Sequence, residues 1–138
     1  MKIHHIGYYV TNIDEACADF QKLGYTISSP CMLDETRRVF IQFLESENNL
    51  GGGRSLIELV AAADGCTLFG RLKKIGSTPY HICYECSKLD ETISSLKDKN
   101  FMLIREPQSA PAIENRRVAF MYSSAVGLIE LLEMCREC

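Results

Sequence analysis

Residues 5–15 read HIGYYVTNIDE, and residues 81–91 read HICYECSKLDE. The two segments are identical at five of eleven positions, with a constant offset of 76 residues. Two further matches follow in the same order in both halves. RRV at 37–39 matches RRV at 116–118, and LIEL at 56–59 matches LIEL at 128–131. Segments repeated in one order predict a chain built from two copies of a single supersecondary unit.

Each copy predicts a strand followed by a helix. A capping-box pattern starts each helix, at residues 11–14 and 87–90, where a hydroxyl and a carboxylate can bond to free amides of the first turn. Gly24 and Asn100 stand at matching positions after the helices, and both types tolerate the left-handed backbone of a helix end. Between start and end, apolar side chains recur at helical spacing: Ile13, Ala16, Cys17 and Phe20 in the first half, and Leu89, Ile93 and Leu96 in the second.

Three β-like runs follow each predicted helix. They are residues 25–28, 38–44 and 56–60 in the first half, and residues 101–105, 117–122 and 128–132 in the second. NNLGGG at residues 48–53 predicts a turn between two strands. Apolar residues from Leu68 to Ile75 predict a short amphipathic helix in the connection between the halves.

Four residues of metal-ligand type occupy equivalent places in the two halves. If Ile6 faces the covering helix, His5 faces the opposite side, and the repeat places His81 in the same way. Glu58 and Glu130 each stand within an apolar strand, where a carboxylate is costly unless it is paired or bound to a metal. Two-fold-related halves would bring these two histidines and two glutamates to a common centre. Such a set suits one divalent ion per chain, which could be Ni, Co, Zn, Mn or Fe.

These patterns together predict an α+β fold of two tandem βαβββ modules, which form a curled mixed sheet around a central metal pocket. The length of 138 residues fits one domain with its own core. We expect a single domain over residues 1–138, with module one at about 1–62, a connecting helix at about 63–78 and module two at about 79–138.

The same residues also have simpler interpretations. Either histidine can be a packed core residue, and each glutamate can pair with an arginine. His4 belongs to the other face of its strand, which favours a structural role. Glu85 shares the predicted face of His81, so it could be an acid-base group of the pocket or a strand-end acid in water. Three basic pairs could hold phosphates or a carboxylate, or could lie in solvent: residues 37–38, 73–74 and 116–117.

Charge and hydropathy exclude several partners. The chain has 15 basic and 18 acidic residues and a formal charge of −3, whereas proteins that neutralise many phosphates carry a basic excess. We therefore expect no nucleic-acid partner. No apolar run approaches the roughly 20 residues that span a bilayer, so we expect no membrane partner. MKIHHIG at residues 1–7 predicts a strand instead of a signal peptide, which indicates a cytoplasmic protein.

Seven cysteines invite a zinc-site interpretation, which the spacing disfavours. Cys83 and Cys86 fall on a predicted strand, and residues three apart on a strand point to opposite faces and cannot share a metal. Cys135 and Cys138 lie at the last residues of the chain. In a protein without a secretory signal, reduced thiols are the expectation for all seven.

The layout resembles the vicinal-oxygen-chelate superfamily, which includes glyoxalase I, methylmalonyl-CoA epimerase, extradiol dioxygenases and antibiotic-resistance proteins. The resemblance covers nearly the whole chain and is strongest to the methylmalonyl-CoA epimerase branch. The segments that carry it are HHIG at 4–7 with NIDEA at 12–16, LFGRLKKIG at 68–76 leading into HICYE at 81–85, and VGLIEL at 126–131. Two segments depart from the relatives: APAIEN at 110–115 replaces the glycine-rich loop of the epimerase branch, and SSAVG at 123–127 replaces the Asp-Pro-Asp-Gly-type turn of glyoxalase I.

The resemblance implies an isomerase or a lyase that moves a proton at carbon next to a carbonyl, through an enolate stabilised by a divalent metal. The favoured hypothesis is an acyl-CoA epimerase, similar to methylmalonyl-CoA epimerase, and the alternative is a lactoylglutathione lyase (glyoxalase I). The substrate would be an acyl-CoA or another thioester or ketone, and the assembly a homodimer. In glyoxalase I a metal-bound Glu can act as base, which nominates Glu130 or Glu58 as the catalytic residue.

Two other functions occur on the same fold. A non-catalytic small-molecule binding protein would use the pocket without a metal, and the complete ligand set argues against it. An iron dioxygenase needs only two His and one carboxylate around the metal, so Glu58 as a fourth ligand argues against that function.

Overall fold

The structure, a computed structural model, describes residues 1–47 and 53–135. Most of the predicted turn at 48–53 therefore lies outside the described residues, and so does Cys138. Contacts between Cα atoms divide the chain into two compact units. The first unit comprises residues 5–80, and the second unit comprises residues 1–4 with residues 81–138.

The described helices and strands follow the predicted order. They are β1 (Lys2–Tyr9), α1 (Ile13–Lys22), β2 (Thr26–Ile27), β3 (Met32–Asp34), β4 (Val39–Glu47), β5 (Arg54–Ala62), α2 (Leu72–Ile75), β6 (Thr78–Cys86), α3 (Leu89–Lys97), β7 (Met102–Ala110), a 3-10 turn (Pro111–Ile113), β8 (Arg116–Ser123) and β9 (Gly127–Glu133). The predicted α+β class is confirmed.

Both units contain a mixed sheet of the same design. In the first unit β1 runs parallel to β5, and β4 pairs antiparallel with β5, β2 and β3. In the second unit β6 runs parallel to β9, and β8 pairs antiparallel with β9 and β7. The strand β3 was not predicted, because three residues are too few to show a periodic pattern.

One face of each sheet packs against its helix, as the alternation of side chains predicts. In the first unit Ile6 and Tyr8 of β1 lie against the cluster that contains Cys17 of α1 and Leu59 of β5. In the second unit the cluster contains the following buried residues: Cys86, Leu89, Ile93, Ala119, Met121, Ile129 and Leu131. The opposite face of each sheet is therefore the one that carries the predicted ligands.

The helix ends agree only partly with the sequence pattern. Asn12, and not Thr11, caps α1, and its Oδ1 accepts a hydrogen bond of 2.9 Å from the Glu15 amide. At α3 the N-cap residue is Lys88, which makes no side-chain capping bond. Both capping-box assignments were thus one residue too early. Gly24 and Asn100 have φ of 95° and 69°, which confirms the predicted left-handed positions after the helices.

Strand pairing corrects one correspondence between the halves. Phe43 lies opposite Glu58, and Phe120 lies opposite Glu130, so β4 and β8 correspond with an offset of 77 residues. The RRV segments match with an offset of 79, and this match is therefore two residues out of register. The reason is local: residues 37–38 belong to the turn before β4, with Arg38 at φ 55°, whereas residues 116–117 begin β8.

Candidate functional site

The first unit places His5 and Glu58 side by side on neighbouring parallel strands. Gly7 of β1 pairs with Glu58 of β5, and His5 precedes that pair by two residues on the same strand face. The distance between His5 Nε2 and Glu58 Oε1 is 3.6 Å. His5 is 1% exposed and Glu58 is 5% exposed. The first unit therefore buries an imidazole and a carboxylate close together.

The second unit repeats this arrangement with His81 and Glu130. Cys83 of β6 pairs with Glu130 of β9, which is the equivalent of the pair between Gly7 and Glu58. The distance between His81 Nε2 and Glu130 Oε1 is 3.3 Å. Both side chains are buried. Each unit thus holds one His–Glu pair in the same strand register.

A phenylalanine completes each pair, and the sequence reasoning missed it. Phe43 packs edge-on to the His5 ring, with the ring centroids 5.3 Å apart and the planes at 81°. Phe120 packs in the same way on His81, at 5.3 Å and 87°. Such T-shaped packing restricts the rotation of the imidazole. The phenylalanines could have been found as the apolar residues opposite each glutamate once the strand register was known.

The spacing within each pair agrees with two ligands of one metal ion. A charge-assisted hydrogen bond between nitrogen and oxygen has a length of about 2.7–2.9 Å, so 3.3 and 3.6 Å are long for a direct bond. Imidazole and carboxylate donors stand about 2.0–2.2 Å from a metal such as zinc, which separates neighbouring donors by about 2.8–3.1 Å in octahedral geometry and about 3.3–3.6 Å in tetrahedral geometry. The donor chemistry and the spacing therefore both fit a divalent ion.

The arginines that could have held anions have carboxylate partners within their own unit. Arg37 Nη1 donates to Asp34 Oδ2 at 2.6 Å, and Asp34 is only 1% exposed. Arg38 Nη1 donates to Glu35 at 2.9 Å. These bonds fix the turn before β4. Arg37 and Arg38 are thus structural residues of this turn.

The second unit uses its arginines at the start of β8. Arg117 Nη2 donates to Asp90 of α3 at 2.8 Å and to Glu133 of β9 at 2.6 Å. These two carboxylates raise the pKa of the Arg117 guanidinium above its ordinary value. Arg116 Nη2 donates to Glu85 Oε2 at 2.7 Å. Glu85 therefore lies in an ion pair, an arrangement that the sequence alternatives for this residue did not include.

The remaining sequence candidates lie outside the His–Glu pairs. The lysines 73 and 74 are exposed on α2, which is one turn long and shorter than predicted. His4 is half-buried on β1. Cys86 belongs to the helix-facing cluster, where burial raises the pKa of its thiol, and Cys83 lies on the ligand-bearing face. The prediction that these two cysteines point to opposite faces is confirmed.

The chain belongs to the glyoxalase/bleomycin resistance protein/dioxygenase superfamily. The model of this family matches residues 4–120, which is most of the chain. The predicted superfamily is thereby confirmed. A comparison with curated protein sequences gives no match.

Solved structures of the same fold include methylmalonyl-CoA epimerases. A hypothetical protein from Bacillus halodurans superposes with a TM-score of 0.81 at 24% identity, covering 99% of this chain and 96% of that one. Methylmalonyl-CoA epimerase from Mycobacterium tuberculosis gives 0.79 at 22% identity, with coverage of 98% and 89%. A variant of the Streptomyces coelicolor epimerase, in complex with 2-nitronate-propionyl-CoA, gives 0.80 at 18% identity, with coverage of 99% and 99%. These identities establish a shared fold.

Among the described residues, every helix is too short or too polar to cross a membrane.

Proposed function

We propose that this protein is a divalent-metal-dependent enzyme that moves a proton at carbon next to a carbonyl, in the manner of methylmalonyl-CoA epimerase. The observation that carries the proposal is one buried His–Glu pair in each unit, in the same strand register. An equivalent phenylalanine packs on the histidine of each pair, Phe43 in the first unit and Phe120 in the second. Structural need alone rarely places the same costly polar pair at both equivalent positions of a duplicated fold.

The ligands in this proposal are His5 and Glu58 from the first unit and His81 and Glu130 from the second. One ion per chain, of the Ni, Co, Zn, Mn or Fe type, suits two imidazoles and two carboxylates. When bound, such an ion supplies a Lewis acid that stabilises negative charge on carbonyl oxygens. Because the ligands come from both units, we propose that residues 1–138 act as one domain.

The protein contributes the acid-base chemistry and the environment of the reaction. Glu130 or Glu58 removes the proton from one face of the carbon, and an acid on the opposite face delivers a proton to the enolate, so that the configuration inverts. A positioned carboxylate in this role is worth about 10²–10⁴-fold in rate. Phe43 and Phe120 hold the imidazoles in one orientation. Burial of the glutamates keeps water away from the carboxylates and strengthens every electrostatic interaction there.

An acyl-CoA is the favoured substrate class, ahead of the glutathione hemithioacetal of glyoxalase I. Support comes from the sequence segments that resemble the epimerase branch, and from structural neighbours that are methylmalonyl-CoA epimerases in complex with methylmalonyl-CoA and with 2-nitronate-propionyl-CoA. We also propose a homodimer, as the resemblance implies; sedimentation that gives a monomer at micromolar concentration with full metal content would contradict it.

Solvent deuterium exchange tests the reaction. Protein purified without chelators is incubated in deuterium oxide with methylmalonyl-CoA, and separately with the hemithioacetal of methylglyoxal and glutathione. We expect deuterium to enter methylmalonyl-CoA, and we expect Glu130→Gln to lower the exchange rate by about 10²–10⁴-fold. Glu58→Gln is the matched variant of the first unit. Because both glutamates are proposed ligands, the two variants are compared at equal metal content, where the larger loss of exchange rate identifies the unit that provides the base.

Three results would change the assignment. Turnover of the hemithioacetal alone moves the protein to the glyoxalase class. Consumption of oxygen with a catechol, without any exchange, indicates a dioxygenase. Binding of a thioester with no metal and no exchange indicates a binding protein.

A further inference from the structure

The ligand-bearing face of the first unit continues beyond its His–Glu pair as a row of apolar side chains. Glu58 of β5 pairs with Gly7 of β1. Two residues further along, Val60 pairs with Tyr9 of β1 and with Ile41 of β4. Residues paired on neighbouring strands share a face, and so do residues two apart on one strand. These three residues, here called the apolar row, therefore lie about 7 Å along the sheet from Glu58, on the same face.

The face is closed at the apolar row and open on the other side of Glu58. Each residue of the apolar row is at most 9% exposed. On the other side, Glu45 pairs with Leu56 and with Thr26; the first two are half-buried and Thr26 is exposed. The CoA group of a thioester is large and charged, so it fits only the open side. The acyl group is then directed towards the apolar row.

Phe69, in the connection before α2, covers Tyr9 of the apolar row. The centroid of its ring lies 4.9 Å from that of Tyr9, and it lies 5.4 Å from that of Tyr80, which packs edge-on. The Phe69 carbonyl oxygen accepts a hydrogen bond of 2.9 Å from the Lys73 amide, which ties its backbone to α2. Both the ring and the backbone of Phe69 are thus held at the closed end of the face.

The backbone of Phe69 takes an unfavourable conformation in order to place the ring there. Its φ of 67° lies in the left-handed region, which is an outlier for a bulky side chain. Phe20 packs between Tyr8 and Tyr25 at 5.1 and 5.5 Å on the helix-facing side of the same unit, from within α1. Packing between two tyrosines therefore does not by itself require such a backbone. Residues held in this way cluster at ligand clamps and active sites.

The second unit lacks an equivalent apolar row among its described residues. The corresponding row pairs Leu132 with Glu85 and with Val118, and Glu85 is in an ion pair with Arg116. A wholly apolar closed end is therefore a feature of the first unit.

We propose that Phe69 determines specificity by limiting the size of the apolar group that the acyl part of the substrate carries at its reacting carbon. This inference rests on the proposed function and adds to it a residue that selects among thioesters. The apolar row binds the group, and the Phe69 ring forms the end of the space that it can occupy.

Calorimetric binding of two thioesters tests the role of Phe69. Methylmalonyl-CoA and ethylmalonyl-CoA carry the same carboxylate and the same CoA group, and they differ by one methylene at the reacting carbon. We expect wild-type protein to bind methylmalonyl-CoA more tightly by about 10-fold or more, because one methylene that does not fit an apolar site has a cost of this size. In Phe69→Ala the ratio of the two affinities should fall by about 10-fold, since loss of the ring makes room for the methylene.

Phe20→Ala is the matched control, since it removes a phenylalanine from between two tyrosines on the other side of the sheet. It should keep the wild-type ratio of affinities. The inference is overturned by a wild type that binds both thioesters alike, by an unchanged ratio in Phe69→Ala, or by the same change in Phe20→Ala. If Phe69→Ala does not fold, as judged by circular dichroism, Phe69→Leu shortens the side chain, keeps it apolar and is judged by the same ratio.

Deuterium exchange separates this inference from the proposed function. Exchange into methylmalonyl-CoA together with an unchanged ratio in Phe69→Ala retains the proposed reaction and rejects the role of Phe69. A changed ratio without exchange in the wild type retains the role of Phe69 and rejects the proposed reaction.

Discussion

The two units of this chain share a His–Glu–Phe arrangement and differ at the end of the strands that carry it. In the first unit Tyr9 stacks on Phe69, with ring centroids 4.9 Å apart, and the strand end is apolar. In the second unit Glu85 and Arg116 form an ion pair at the equivalent strand positions. Duplication therefore preserved the residues of ligand type, while the surroundings diverged.

The largest expected effect comes from removing a proposed metal ligand from either unit. Loss of an outer partner of a metal ligand already costs about 10- to 100-fold in metal affinity, so His5→Ala and His81→Ala should each cost at least about 100-fold. Metal content after dialysis, measured by mass spectrometry, reports the loss. His4→Ala is the matched control on the same strand and should retain the ion.

Equal losses of metal in His5→Ala and His81→Ala would mean that both units contribute equally to metal binding. Full metal content in a His5→Ala, His81→Ala double variant would refute the ligand assignment altogether.

A smaller effect is expected in the two helix-facing cores. Leu59 of β5 and Leu131 of β9 are equivalent and fully buried. Truncation to Ala should lower the free energy of unfolding by about 2–5 kcal/mol in either unit, through lost burial and the cavity left behind. Chemical denaturation measures the change. If residues 1–138 form one domain, both variants shift a single transition; two separate transitions, each moved by one variant, would contradict the single domain.

The smallest effect concerns the helix starts. Asn12 caps α1 through its side chain, whereas Lys88 makes no such bond at α3. Asn12→Ala should therefore lower the free energy of unfolding by about 1 kcal/mol. Lys88→Asn should raise it by up to a similar amount, because it supplies the missing acceptor. Thermal denaturation of the two variants measures whether stability falls in Asn12→Ala and rises in Lys88→Asn. A destabilised Lys88→Asn would show that the missing cap does not limit the stability of α3.

Much of the fold could be predicted because the repeat constrains it twice. A weak pattern such as the strand before α3 became secure when it matched the strand before α1 at a fixed offset. The same argument nominated His5, His81, Glu58 and Glu130 as candidate ligands, since two apolar strands that carry a carboxylate at equivalent places favour a shared site more than one such strand does. The missed strand and the wrong register fell where the halves differ, in the unrepeated β3 and in the arginine segments that begin β8 but precede β4. The helix starts were placed one residue too early in both halves.

What the sequence alone determined is the order of the elements, the face of each strand and the identity of the four candidate ligands, because alternation and repetition are properties of the chain. Only the tertiary structure decided the register between strands, and with it the phenylalanine beside each histidine and the partner of each arginine. Register depends on hydrogen bonds between residues distant in the sequence, and a slip of two residues leaves every side chain on its original face. The hydrophobic pattern therefore does not distinguish two registers that differ by two residues. For this reason the ion pair between Glu85 and Arg116 could not be predicted from the sequence.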